Sequence, residues 1–320
     1  MGMTPFDYTQ AQAFLRDKFV PFAEANVSIA SSPILYGLSV YTVFSLNWND
    51  TQKKLYAFRL RDHYTRLVNS AKIMDFHNFA TAWPYEKFEA TMLDLVRRNN
   101  IKEDALVRAT IFVDELIAGT KIHGLKHSFA AYIYPMGAIL PRGGVNLCVS
   151  SWVRNPDNAI PSRAKVNGGY ANASLIKNEA LLNGYDDAIV LDGDGHVTEG
   201  TVSNVFLVRD GVLITPGVSA DLLEGITRAS VIRIARDLGI PVVERAVDRS
   251  ELYLADEAFL CGSSARLIPV LSIDKRTIDT GDATSNAGSA AGKITSQLLE
   301  KYRAVQYGEA SEYKEWLIEV

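Results

Sequence analysis

The sequence predicts a two-domain α+β protein, and three observations carry that prediction. The chain is long, at 320 residues, about twice a typical domain and enough to bury roughly three quarters of its unfolded surface. Strand-like and helix-like segments come in separate runs rather than in strict alternation. The texture of the chain also changes near residue 130, from long amphipathic segments to short strands between tight turns. A hydrophobic fraction of 48% with 22% charged residues excludes a disordered or fibrous chain. Thirty-three basic against 37 acidic residues leave a formal charge of −4, so no polyanion is expected as a partner, nucleic acid included.

The first half runs to about residue 132. VSIASSPILYGLSVYTVFSLNW is rich in β-branched and aromatic residues, punctuated by Pro33 and Gly37, and KKLYAFRL (Lys53 to Leu60) alternates like a strand. Two amphipathic helices follow, with Leu60, Tyr64, Leu67, Ala71 and Met74 on one and Phe88, Met92, Leu93 and Val96 on the other. ALVRATIFV reads as a further strand. The polar AGTKIHGLKHS (Ala118 to Ser128) marks the approach to the second half, with the interdomain connection expected at 133–144 and the larger domain over 145–320.

In that second half VNLCVSSWV, AIVLDGDGHVTEG and NVFLVRDGVLITP read as strands, with hairpin signals at Gly-Asp-Gly and Asp210-Gly211. ITRASVIRIARDLGI is an amphipathic helix stopped by Gly239. PVVERAV and EAFLCGS return to strand, and the charged helix ITSQLLEKYRAVQYGE follows a Gly/Ser/Ala-rich stretch from Gly281 to Gly292. No internal repeat is found.

Cys148 and Cys261 sit in apolar runs and read as two buried, reduced thiols. The five histidines show no H-E-x-x-H spacing, and His123 and His127 would share a face only if their glycine-containing segment were helical, so no metal is expected. Charged residues interrupt the N-terminal apolar segment and the longest apolar stretch, Phe129 to Leu140, is 12 residues. Neither export nor a membrane span is expected, and the cytosol is the default compartment.

Four separated features suggest chemistry. Lys165 lies among small and polar residues before Gly168 and Gly169, where a ligand could approach the backbone and an amine could form a Schiff base. Glu199 stands at a strand end before Gly200, where a half-buried carboxylate would need a partner such as a protonated ring nitrogen. Gly225, Ile226 and Thr227 open a helix whose free amides and hydroxyl make an anion seat. Ser263 and Ser264 add hydroxyls in a strand-end turn. Singly these are equally a surface lysine, a solvated glutamate, a plain helix cap and an ordinary turn. Together they match the needs of pyridoxal 5′-phosphate: a lysine for the aldehyde, an acid for the ring nitrogen, and amides with hydroxyls for the phosphate.

The order SRAKVNGGY, HVTEGTVSNVFLV, GITRASV, LYLADEAFLCGSSARLIPV resembles the class IV aminotransferases, the fold-type IV pyridoxal phosphate enzymes, over nearly the whole chain. LYGLSV, RLRDHYTRLVNSAKIM and EYKEWL make it most similar to the branched-chain amino acid aminotransferases. The resemblance implies a small α/β N-terminal domain and a larger domain with a β-barrel-like sheet core and flanking helices. It also implies a homodimer or higher oligomer, and a ping-pong transfer of the amino group from an apolar L-amino acid to 2-oxoglutarate. It makes Lys165 the Schiff-base lysine and general acid/base, Glu199 the partner of the ring nitrogen and Tyr170 the donor to the ring phenolate oxygen. Arg66, Gly225, Ile226, Thr227 and Ser263 would hold the phosphate, and Leu223 would pack on the ring. At about 4 Å and an effective dielectric near 20, Glu199 would favour a charged ring nitrogen by roughly 4 kcal/mol.

For substrate, the resemblance points to Tyr36, Tyr41, Arg108, Ser263 and Ser264, with Arg108 contacting a side-chain carboxylate. Several positions depart from the family pattern: Leu106 replaces a tyrosine, Thr42 and Val43 replace a Glu-Gly pair, and Met136 and Ile139 stand where bulky aromatics are common. An (R)-amine or D-amino acid transaminase, or an aminodeoxychorismate lyase, is the alternative on the same fold, and a non-catalytic phosphate-ligand binder the alternative outside it.

Overall fold

The computed structural model describes residues 8–9, 11–137, 140–141, 143–278 and 291–320. Ile139 and most of the Gly/Ser/Ala-rich stretch lie outside the described residues. The chain divides into two compact units, one of 1–137, 164–169 and 305–320, the other of 138–163 and 170–304.

The first unit is a seven-stranded antiparallel sheet with helices. Its strands are β1 (Gln12–Leu15), β2 (Lys18–Pro21), β3 (Ser39–Asn49), β4 (Lys54–Phe58), β5 (Ala105–Val113), β6 (His127–Pro135) and the C-terminal strand Leu317–Glu319. They lie in the order C-terminal strand, β4, β3, β5, β6, β1, β2. Helices α1 (Ser32–Tyr36), α2 (Leu60–Ile73), α3 (Phe79–Ala82) and α4 (Tyr85–Arg98) complete it. Phe14, Trp83, Phe88 and Phe129 form an aromatic core, with the Trp83 and Phe129 rings 4.7 Å apart.

Three details differ from the sequence expectation. The β-rich run before β3 contains α1, because Pro33 fits a first helical turn and Gly37, at φ 67, closes it in the left-handed region. The segment His127–Pro135 is a full strand paired with β5 along its length, so the first unit continues to Gly137, inside the connection expected at 133–144. The division is also not a single cut. Val166 bridges Val40 on the open edge of β3, and the C-terminal strand pairs with β4, so residues 164–169 and 305–320 join the first unit.

The second unit is built on a mixed sheet. Its strands are β7 (Val145–Val153), β8 (Asp187–Leu191), β9 (Val197–Gly200), β10 (Asn204–Arg209), β11 (Val212–Thr215), β12 (Val242–Glu244), β13 (Glu257–Gly262), β14 (Arg266–Ile273) and β15 (Arg276–Thr277). They follow the order β12, β11, β10, β13, β14, β7, β8, β9, with β15 on β14, as a curled half-barrel. The β11–β12, β14–β7 and β7–β8 pairs are parallel. Helices α5 (Tyr170–Leu182), α6 (Ile226–Asp237) and α7 (Lys293–Gln306) flank it. α5 escapes the sequence reading because Gly168 and Gly169 immediately precede it and its buried side is small, Ala173, Ile176 and Ala180. Val145, Leu147, Ile189, Val205, Leu207, Leu260 and Ile268 make the sheet's core.

Both cysteines are free and buried, as their apolar surroundings imply. Burial raises both thiols, Cys148 to about 11, so neither is a nucleophile near neutral pH. Among the described residues, no helix is long and apolar enough to cross a membrane.

Candidate active site

In the first unit the chain brings Lys165 beside Arg66, Tyr41 and Arg108. The segment around Lys165 runs along the edge of β3 that β4 leaves open: the Lys165 carbonyl accepts from Tyr41 N–H at 3.0 Å. The Lys165 N–H donates to Ser70 Oγ at 3.1 Å, and that hydroxyl donates to the Arg66 carbonyl one turn back in α2 at 2.9 Å. Ser70 thus links a lysine 95 residues away to Arg66. The Lys165 ammonium lies 5.0 Å from the centroid of the buried Tyr41 ring, and the Arg108 guanidinium carbon lies 3.6 Å from the same centroid.

Strand register explains this grouping. Tyr41 opposes Thr110 and Val43 opposes Arg108, so alternation puts Tyr41 and Arg108 on one face of the sheet and Thr42 on the other. Arg108 is further held by the side-chain oxygen of Asn167, whose amide donates to Ser39 Oγ at 2.6 Å. Tyr36, at the end of α1, is 39% exposed, and its hydroxyl accepts from Gly119 N–H at 3.3 Å.

Behind the sheet, Thr42 Oγ1 lies 2.9 Å from Nδ1 of the buried His63 and accepts from Arg66 Nη2 at 3.3 Å. Burial, followed by the charges of Arg66, Arg59 and Lys165, pushes the His63 imidazole well below its ordinary value. Unfolded His63 takes up a proton near pH 6.5 and folded His63 does not. Stability is therefore unpenalised above about pH 6.5 and is lost as pH falls below it, by up to about 1.4 kcal/mol per pH unit. His63→Asn, which keeps a partner for Thr42, is expected to flatten this acid limb in urea unfolding between about pH 5 and 8. An unchanged slope would refute the assignment.

The second unit gathers the acid and the anion seat. Glu199 on β9 is 3% exposed, and Arg154 Nη2 approaches its Oε1 at 2.6 Å. Asn204 Nδ2 donates to Glu199 Oε2 at 3.1 Å and to the Leu223 carbonyl at 2.9 Å, while Leu223 N–H reaches the same Oε2 at 3.4 Å. Asn204 therefore ties the carboxylate to the loop that leads into α6. Gly225 caps that helix without a side chain, and a Cβ there would meet Asn204 Oδ1 at 2.0 Å. Ile226 and Thr227, both buried, form the first turn, so their amides sit at the positive end of the dipole. Pairing of Asn204 with Cys261 brings the half-buried Ser263 and Ser264 turn beside the loop after Glu199. Tyr170, half-buried, begins α5.

The predicted residues thus fall into two sets: Lys165, Arg66, Tyr41, Arg108 and Tyr36 in the first unit, and Tyr170, Glu199, Leu223, Gly225, Ile226, Thr227, Ser263 and Ser264 in the second. Sequence reasoning passed over Ser70, Asn167, His63, Arg154 and Asn204. A buried carboxylate signals that some donor must exist, but nothing in the spacing singles out Arg154 or Asn204. The donor set suits a phosphorylated pyridine aldehyde: a primary amine, a charge-balanced buried carboxylate, and an uncapped helix start with hydroxyls.

Residues of these kinds are those a pyridoxal phosphate enzyme uses, and the fold is of the α+β, fold-type IV class. Residues 39–273 match the family model for amino-transferase class IV. The chain is 38% identical over 310 residues to a probable branched-chain-amino-acid aminotransferase of Aquifex aeolicus, covering 96% of each. Among solved structures, a branched-chain aminotransferase from Thermoproteus uzoniensis with norvaline superposes with a TM-score of 0.87 at 37% identity, over 97% of this chain and 99% of that one. The branched-chain amino acid aminotransferase of T.th., complexed with N-(5′-phosphopyridoxyl)-L-glutamate, gives 0.81 at 34% identity, over 97% and 98%. The chain belongs to the class IV aminotransferases, enzymes that use pyridoxal 5′-phosphate.

Proposed function

We propose that the protein moves the amino group of branched-chain or other apolar L-amino acids to 2-oxoglutarate by a ping-pong mechanism in the cytosol. The observation that carries this reading is the pairing of Arg108 with Lys165 over one ring, Tyr41, with Arg108 held in place by Asn167. A fixed guanidinium near the reacting amine fits the second carboxylate of a five-carbon dicarboxylate. The names of the relatives support this reading: one is a probable branched-chain-amino-acid aminotransferase, and of the two solved branched-chain aminotransferases one is complexed with N-(5′-phosphopyridoxyl)-L-glutamate.

Pyridoxal 5′-phosphate, when bound, supplies the aldehyde that exchanges amino groups and a ring that accepts the electron pair released at the substrate Cα. Lys165 Nζ would hold that aldehyde and, once displaced by substrate, would take the proton from the substrate Cα and deliver it to the former aldehyde carbon, two atoms away. Glu199 would favour a proton on the ring nitrogen, with Arg154 and Asn204 fixing its carboxylate. Tyr170 would donate to the ring phenolate oxygen, and Leu223 would pack against the ring. Arg66, the amides of Gly225, Ile226 and Thr227, and the Thr227 and Ser263 hydroxyls would hold the phosphate. Tyr36, Tyr41 and Ser264 line the substrate side.

Arg108→Met is expected to raise KM for 2-oxoglutarate by roughly 10- to 100-fold, the loss of one hydrogen bond between charged groups. KM for an apolar 2-oxo acid should change far less. Equal changes for both acceptors would remove Arg108 from carboxylate recognition. Two departures favour a second reading as an (R)-amine or D-amino acid transaminase. Leu106, 1% exposed, brings no hydroxyl beside Arg108, and Thr42 is committed to His63 and Arg66. Half-reaction spectra with L-leucine, D-alanine and (R)-1-phenylethylamine separate the two, and strong turnover of the amine with none of L-leucine would overturn the first.

A homodimer is part of this proposal. Trp152, Val153, Leu175, Leu181 and Leu182 of the second unit are exposed apolar residues that such an interface would cover.

A further inference from the structure

We propose that the first unit carries a zinc site made by Asp75, His77 and His123, unrelated to transamination. Asp75 and His77 lie just beyond the end of α2, and His123 lies in the turn Ile122–Leu125 of the connection between β5 and β6. Their donor atoms converge: His77 Nε2 is 2.9 Å from His123 Nδ1 and 3.2 Å from Asp75 Oδ1, and His123 Nδ1 is 2.8 Å from Asp75 Oδ2. The two imidazole planes stand at 87° with centroids 4.5 Å apart.

Hydrogen bonding alone does not satisfy this triangle. Each ring nitrogen carries at most one proton, and the carboxylate brings none. If both nitrogens are protonated, each serves the carboxylate, but two N–H groups then face one another at 2.9 Å. If one imidazole donates to the other, the accepting nitrogen turns a lone pair toward Asp75. A cation at the centre satisfies all three edges at once, because every donor then points a lone pair inward.

The chemistry of the donors selects the ion. Two imidazole nitrogens and the Asp75 carboxylate, which presents Oδ1 to His77 and Oδ2 to His123, suit a borderline divalent metal and disfavour Mg2+ or Ca2+, which prefer all-oxygen shells. Bonds of about 2.0–2.1 Å in a tetrahedron place donors about 3.3 Å apart. The observed edges are shorter by only a few tenths of an ångström, and all three residues are exposed and able to spread. The fourth position faces solvent and takes water.

Such an ion would tie the β5–β6 connection to the end of α2. The same connection holds Tyr36 through Gly119, so the metal would stiffen a stretch that borders a proposed substrate residue. The sequence alone predicts no metal and puts His123 and His127 on one face only in a helical segment; the fold puts His127 in β6 and His123 against His77.

The test is calorimetric titration of untagged, chelator-washed holoenzyme with ZnCl2, alongside thermal unfolding with Zn2+ or Mg2+. One Zn2+ per chain is expected at micromolar affinity or tighter, with Tm raised by Zn2+ and not by Mg2+. His123→Ala and Asp75→Asn should each weaken binding by at least about 100-fold and abolish the Tm shift, while amino-group transfer without added zinc stays as in the parent. Equal zinc affinity in parent and both variants, or no zinc binding in the parent, would overturn the proposal.

Discussion

Lys165→Ala is expected to lower single-turnover transfer from L-leucine by at least about 10,000-fold, since both the covalent anchor and the proton carrier at Cα are removed. The fold should survive. The structural contacts of this residue are made by its backbone, through N–H to Ser70 and carbonyl from Tyr41 N–H, and alanine keeps both. The variant should therefore bind cofactor without the absorbance of the lysine imine, and added small amines should restore part of the rate. A loss below about 10-fold, or an imine band that persists without added amine, would displace Lys165 from the chemistry.

Glu199→Gln should affect stability and rate by separate routes. The amide leaves the Arg154 guanidinium, whose side chain is 19% exposed, without its counter-charge. Breaking one side of a buried pair costs about 3–5 kcal/mol. The rate of Cα deprotonation should fall as well, because a neutral amide no longer favours a proton on the ring nitrogen. Arg154→Met combined with Glu199→Gln separates the effects: urea unfolding should recover most of the lost stability, and half-reaction rates should not recover. Recovery of both would make Glu199 a structural residue alone.

Much of the candidate site is legible in the sequence because its proposed parts lie in short local patterns. Lys165 precedes two glycines, Glu199 closes a strand, and Gly225-Ile226-Thr227 starts a helix, each a signal confined to a few neighbouring residues. What escaped is what long-range pairing creates. Ser70 meets Lys165, Asn167 meets Arg108, and His77 meets His123 because strand register and helix docking bring them together, and no periodicity encodes those meetings. At the level of elements, the period-2 signal located β3, β5 and β10 well. It overran α1, where a proline and a glycine turned a β-rich run into one helical turn, and it passed over β6, whose last residues fall in the connection expected at 133–144.

The edge strand at Leu317–Glu319 has a consequence for how the protein is made. During synthesis β4 emerges early, but the partner that covers its outer edge follows only after every strand of the second unit. Until then the first unit presents an unpaired strand edge to its surroundings, the feature through which nascent chains pair wrongly with one another. The unit begun first on the ribosome is thus the one finished last.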